Sequence, residues 1–91
     1  MTTHEDDRLA KLARIAEIVR GAEEDYDKMY DAHDERTAKW QYELACDALN
    51  YAAKLARELD LEKEALEYEA RAKHIRLVFR HQFMQPPDLS E

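Results

Sequence analysis

The chain has 91 residues, of which 45% are hydrophobic and 38% charged, and its formal net charge is −7. This length suits a single domain, and this balance is too apolar for a disordered chain and too polar for a membrane protein. The acidic character predicts no direct binding to nucleic acid, because phosphate contacts need clustered Lys and Arg.

Apolar side chains recur at steps of three and four along three segments, which predicts three amphipathic helices. The helices are expected over roughly 4–32, 35–58 and 61–84. The first stripe is Leu12, Ile15, Val19, Ala22, Tyr26, Met29 and His33. The second is Ala38, Gln41, Ala45, Ala48, Ala52, Leu55 and Leu59, and the third is Leu61, Ala65, Tyr68, Ala72, Ile75, Phe79 and Phe83.

The three stripes change phase at two points, and an aspartate lies at each of them. Asp34 and Asp60 are therefore predicted N-caps of the second and third helices. Short turns make neighbouring helices antiparallel, so the expected fold is an all-α, antiparallel three-helix bundle over residues 1–84. Residues 85–91, which include Pro86 and Pro87, are expected to form a mobile tail.

The first helix carries an acidic face made by Glu23, Glu24, Asp27 and Asp31. One interpretation is a solvated face with pairs within the helix, such as Glu24–Lys28. The other is a row of carboxylates that docks on the basic surface of a partner, with fast and salt-sensitive association. In the bundle this acidic end should lie level with the basic end of the third helix, which favours folding.

The second helix has a wide apolar arc. Trp40, Leu44, Tyr51 and Leu55 fall within about 60° of one another, and the alanines extend the arc to about 180°. A helix that is apolar over half its circumference is expected to contact a neighbour on each side.

Some apolar residues remain after the predicted core is assigned. Leu66 and Leu77 lie roughly opposite the core stripe of the third helix, and Tyr42 and Leu49 lie at the edge of the arc on the second. They are either scattered surface residues or a contact patch for a second copy or another protein.

No pattern indicates a cofactor, a metal or a catalytic site. His74 and His81 are seven residues apart, about 10 Å along a helix, which is too far for one ion. Cys46 has no cysteine partner in the chain, and no nucleophile lies beside a base. A compact bundle is also expected to offer no evident cleft. The segment Met1–Asp7 lacks the apolar core of a secretory signal, so the expected location is the cytoplasm.

The favoured function is that of a small acidic, non-enzymatic protein that acts through protein–protein contacts as an adaptor or regulator. It is expected to self-associate as a homodimer, with no membrane and no nucleic acid as partner. The alternative is an acidic inhibitor, of the kind that phages encode, which blocks a basic nucleic-acid-binding groove of a host complex. A third hypothesis is an accessory subunit that is stable mainly in its complex.

Overall fold

Three helices follow one another in the computed structural model, which describes the backbone of residues 3–83 and the side chains of residues 6–83. They are α1 (Thr3–Asp31), α2 (Glu35–Glu58) and α3 (Glu62–Phe83). Helix α2 packs along both of the others, so α1 and α3 run in the same direction on either side of it. This confirms the all-α three-helix bundle, with boundaries within one residue of those expected. Residue 84 and the tail 85–91 lie outside the described residues.

The first turn is closed by the predicted cap. Asp34 has extended backbone angles, and its Oδ1 accepts a hydrogen bond of 2.7 Å from the backbone N–H of Thr37. Hydrogen bonding from Thr37 also lowers the pKa of the Asp34 carboxyl. The expectation for His33 was wrong: α1 ends at Asp31, so His33 lies in the turn and is exposed rather than facing the core.

The second turn corrects the prediction for Asp60. This residue has a φ of 63°, in the left-handed region, and does not cap α3. Its N–H bonds to the carbonyl of Arg57, and the N–H of Leu61 bonds to the carbonyl of Ala56. These two bonds form a Schellman motif, which satisfies the last carbonyls of α2. An aspartate is tolerated here because short polar side chains enter the left-handed region more readily than most.

Replacing Asp60 with glycine is expected to stabilise the protein by about 1 kcal/mol, because glycine adopts a positive φ without a steric cost. Asp60→Ala should instead be neutral or destabilising, since alanine keeps the Cβ and lacks a polar side chain. Chemical denaturation of the three proteins measures this directly. Equal midpoints for Asp60→Gly and Asp60→Ala would contradict the assigned turn.

The core consists of two clusters along α2. The first joins all three helices and is made by Ala22, Tyr26, Met29, Ala38, Ala45, Leu49, Ala72, Ile75 and Phe79. The second is richer in alanine and is made by Ile15, Ala52, Ala53, Leu55, Ala56, Leu59 and Ala65. The small side chains let the helices approach closely at this second end. Gln41 shares the buried stripe, and its Oε1 lacks a hydrogen-bond partner among the described residues.

Helix α1 contains the one glycine of the chain, Gly21, and the fold does not require it. Its φ is not positive, and a Cβ built there would have no neighbour within 4 Å. We therefore expect Gly21→Ala to stabilise the protein by about 1 kcal/mol, the usual difference between these residues inside a helix. Thermal unfolding followed by circular dichroism is the measurement, and a lower melting temperature would contradict the prediction.

Candidate protein interface

One side of α2 carries large apolar residues that the other two helices within residues 3–83 leave more than a third exposed. Trp40, Leu44 and Tyr51 follow one another at steps of four and seven, and we call them the α2 aromatic face. All three are exposed, and the Trp40 side chain most of all, at 58%. Exposed apolar residues that are scattered singly are ordinary on proteins, whereas a row of them on one helix face is typical of a contact surface.

The exposure of this face differs from the prediction that the apolar arc of α2 contacts a neighbouring helix on each side. Of the four residues expected to contact neighbouring helices, only Leu55 is buried. The buried side of α2 is the alanine stripe that includes Ala45 and Ala52, and the α2 aromatic face is displaced from it by about 100° around the helix. Both neighbours contact α2 on the alanine side, so the far edge of the apolar arc is left to solvent.

Helix α1 supports one end of the α2 aromatic face. The Arg14 guanidinium donates a hydrogen bond of 3.3 Å to the hydroxyl of Tyr51, and its central carbon lies 5.8 Å from the centre of the Tyr51 ring. Such a contact favours one orientation of the ring, although it is exposed and therefore weak. Tyr51 is thereby held against α1 while part of its ring remains accessible.

A second row of exposed residues, apolar except for Lys73, lies on α3. Leu66, Ala70, Lys73 and Leu77 follow one another at steps of four, three and four and are all exposed, and we call them the α3 leucine stripe. Its two leucines are 55% and 54% exposed. Steps of four and three are those of residues that meet a second helix in a coiled coil. No element within residues 3–83 covers this stripe.

The other two residues of the expected apolar patch lie elsewhere. Leu49 is fully buried in the first core cluster, so its assignment to a free face is corrected. Tyr42 is half-buried, and its ring stacks on that of Phe79 with centroids 4.6 Å apart and planes 7° from parallel. Both residues face α3, because α3 packs on the edge of the α2 arc where they lie.

One of the four residues of the acidic face of α1 is paired with a residue of α3, and the other three are not. Glu23 is half-buried and forms a bidentate ion pair with Arg71, with distances of 2.7 and 2.8 Å. Glu24, Asp27 and Asp31 are exposed. Three of the four carboxylates are therefore accessible to a partner, whereas the Glu23 charge is already balanced within the bundle.

Arg71 is the main polar link between α1 and α3. Its guanidinium lies 4.8 Å from the centre of the Tyr26 ring in addition to pairing with Glu23. Hydrogen bonding from Arg71 holds the pKa of the Glu23 carboxyl below its usual range. Burial, together with a contact to the Tyr30 hydroxyl, raises the pKa of Tyr26 to about 12, so its phenol is neutral at physiological pH.

We expect Arg71→Met to destabilise the protein by about 1 kcal/mol, because it removes a bidentate ion pair and a cation–π contact that are more than a third exposed. The pKa of Glu23 is lowered in the folded state, so the pair stabilises the protein above the ordinary glutamate pKa of 4.5. This stabilisation is lost as the pH falls below that value.

Unfolding curves recorded from about pH 7 to pH 3 test this, since the difference between wild type and Arg71→Met should shrink on acidification. Arg20→Met is the matched control, because Arg20 pairs with Glu17 on one exposed helix face and should contribute little. A difference that is constant with pH would show that Arg71 acts through packing alone.

A groove of about 380 Å³ lies between α2 and α3, next to the α3 leucine stripe, which corrects the expectation of no cleft. In this groove the thiol of Cys46 donates a hydrogen bond of 3.3 Å to the carbonyl of Ala72. Burial raises the pKa of Cys46 to about 11, so the thiol is protonated at neutral pH and is a poor nucleophile. The groove has charges of both signs, and its walls are Tyr42, Glu43, Cys46, Asp47, Asn50, Glu69, Ala72, Lys73 and Arg76.

Residues 3–83 contain neither a membrane-spanning helix nor a metal-binding cluster. None of these helices has a stretch that is both long and apolar enough to pass through a bilayer. Within the same residues, no three His, Cys, Asp or Glu side chains are grouped as a metal ion would need. Comparison with protein-family models, with curated proteins and with solved structures finds no match.

Proposed function

We propose that this chain is a small, acidic, non-enzymatic protein–protein interaction module, an adaptor or regulator that also self-associates. The observation that carries the proposal is the exposed α2 aromatic face. Trp and Tyr are the residue types that most often dominate the binding energy of protein interfaces. A row of such residues on a rigid helix is a surface that a partner can cover with little loss of conformational entropy.

The dimensions of the α2 aromatic face favour a helical partner. Trp40 and Tyr51 are eleven residues apart, which is about 16 Å along the axis, or three helical turns. An amphipathic helix presents apolar anchors over the same distance. Charged residues of both signs, such as Arg36 and Asp47, are exposed on α2 within the same region and can form the polar rim of such an interface.

The test is affinity capture of the tagged protein from a native extract, repeated with Trp40→Ser combined with Leu44→Ser. A bound protein that the wild type retains at high salt, and that the double variant loses, would support the proposal. Leu9→Ser is the matched control, because Leu9 is a similarly exposed apolar residue on α1. A partner that survives the double variant unchanged would remove the α2 aromatic face from the proposal.

The exposed carboxylates favour a second candidate function, the acidic inhibitor of a basic nucleic-acid-binding groove. Glu24, Asp27 and Asp31 lie within two helical turns, and Glu35 continues the negative charge onto the start of α2. Carboxylates at this spacing can occupy positions in a groove that otherwise receive phosphates. This candidate retains three of the four residues first assigned to the acidic face, because Glu23 is paired with Arg71.

Salt and charge reversal distinguish the two functions. An acidic inhibitor should lose its partner steeply as salt increases, and also when Glu24, Asp27 and Asp31 are changed to lysine. Binding through the α2 aromatic face should tolerate both changes. In each experiment the far-ultraviolet circular dichroism spectrum verifies that the variant is folded. The substituted residues are exposed, so folding should be preserved.

A further inference from the structure

The charges of α3 are separated along its length. Residues 62–69 contain four acids and one base, whereas residues 70–83 contain four bases and no acid. One of those bases, Arg71, is paired with Glu23 on the side facing α1. Within the described part of the chain, Lys73, Arg76 and Arg80 have no carboxylate at ion-pairing distance, although all three are exposed. The C-terminal half of α3 therefore presents positive charge to solvent.

The N-terminal half of α3 presents the opposite charge on the same flank of the leucine stripe. Glu62 and Glu69 both pair with Arg57 of α2, which leaves this group with one net negative charge. By helical periodicity, Arg76 and Arg80 lie on the same flank as these two glutamates, between the stripe and α2, and Lys73 lies at the edge of the stripe next to that flank. An acidic patch (Glu62 and Glu69) and a basic patch (Lys73, Arg76 and Arg80) thus follow each other along α3, beside the α3 leucine stripe.

We propose that the α3 leucine stripe binds the same stripe of a second copy of this chain, with the two α3 helices antiparallel. In this register Leu66 contacts the partner's Leu77, and Ala70 lies beside the partner's Lys73. The two-fold axis passes near residues 71 and 72. This inference rests on the self-association included in the proposed function and assigns it a surface and an orientation.

Charge complementarity decides both the occupant and its direction. When Leu66 meets the partner's Leu77, Glu62 lies level with the partner's Arg80, and Glu69 with the partner's Lys73. Each acidic patch therefore faces the basic patch of the partner, and the two-fold symmetry makes this contact occur twice in the dimer. In a parallel two-fold arrangement the charged flanks would lie on opposite sides of the interface, so the acidic and basic patches would not meet. Helix α3 is thus self-complementary in one direction only.

The first experiment measures the mass of the protein in solution by sedimentation equilibrium. The wild type should be a dimer, and Leu66→Glu combined with Leu77→Glu should weaken dimerisation at least about tenfold. Lys73→Glu combined with Arg76→Glu should also weaken it, because the reversed charges meet the partner's Glu69. Leu9→Glu is the control and should leave the dimer unchanged, since Leu9 is equally exposed but lies on α1.

The second experiment tests the register by disulfide cross-linking in a Cys46→Ser background. Leu66→Cys combined with Leu77→Cys should give a covalent dimer under oxidising conditions, whereas each single variant should remain uncrosslinked. Cross-linking of the single variants would indicate a parallel arrangement and overturn the proposal. A wild-type monomer, or a dimer that is indifferent to Leu66→Glu with Leu77→Glu, would also overturn it.

These outcomes are separable from the failure of the proposed function. Loss of a captured partner with the Trp40 and Leu44 variant, together with a monomeric wild type, would support the interaction module and reject the α3 dimer. A dimer that persists in the Trp40 and Leu44 variant, while no partner is captured, would leave the α3 inference intact and reject the adaptor role.

Discussion

Phe79→Ala should destabilise this protein by about 3–5 kcal/mol, which is the usual effect of truncating a fully buried phenylalanine. The Phe79 ring is 1% exposed and lies between two aromatic neighbours, Tyr42 at 4.6 Å and Phe83 at 5.5 Å between centroids. Its loss removes both stacking contacts and leaves a cavity. A chain of this length typically has an unfolding free energy of about 5–10 kcal/mol, so the variant should be close to unfolding at physiological temperature.

Urea denaturation followed by circular dichroism measures the effect, with two comparisons that isolate its cause. Phe79→Leu fills most of the volume and should lose roughly half as much stability. Leu9→Ala removes an exposed apolar side chain and should change the free energy of unfolding by less than about 0.5 kcal/mol. If Phe79→Ala were no worse than Leu9→Ala, the assignment of the first core cluster would be wrong.

Ala52→Leu should destabilise the protein by about 2–3 kcal/mol, through crowding rather than through a cavity. Ala52 has no exposed surface and lies in the alanine-rich cluster with Ile15 and Leu55. Because Ala52 is fully buried, we expect no space for three additional carbon atoms without displacement of α1 or α3. A more hydrophobic residue is thus expected to reduce stability, although it would increase the area available for burial.

The matched change is Ala13→Leu, which adds the same atoms at an exposed position of α1. Leucine and alanine are both good helix formers, so this variant should be nearly as stable as the wild type. Thermal melts of the two variants, recorded at one protein concentration, separate the effect of crowding from that of composition. Equal melting temperatures for both would contradict the close packing of α2 at Ala52.

The helices, their order and the first cap followed from local patterns in the sequence. The steps of three and four depend only on residues within one helix, and the Asp34 cap depends on a contact three residues away. Asp60 was misassigned because an aspartate between two helices can either cap the second helix or end the first in a left-handed conformation. Aspartate is favoured in the first role and tolerated in the second, where glycine is preferred, so its presence alone does not identify the role.

The candidate surfaces were harder to predict because they depend on how the helices are rotated about one another. The alanine stripe of α2 and the α2 aromatic face are both apolar, so periodicity alone indicated one wide buried arc. Only the directions from which α1 and α3 approach show that Trp40 is exposed and Leu49 is buried. The sequence did contain one indication of which side is buried: the second stripe includes Ala45 and Ala52 and does not include Trp40.

The Glu23–Arg71 pair shows that ion pairs between helices also depend on how the helices are rotated, which the sequence does not give. The two residues are 48 positions apart, and the sequence predicted only that the acidic and basic ends would lie at the same level. Which of several carboxylates meets which base is decided by the rotation of α1 and α3 about their axes. The result changes the acidic face, because one of its four predicted members is balanced internally.

Helices α1 and α3 both lie against α2 but approach each other at few points, and this has a consequence for the dynamics of the molecule. We expect opening to occur in parts, with α1 separating from α2 about the short turn at residues 32–34 while the α2–α3 hairpin persists. Amide hydrogens of α1 should accordingly exchange with solvent faster than those of α2.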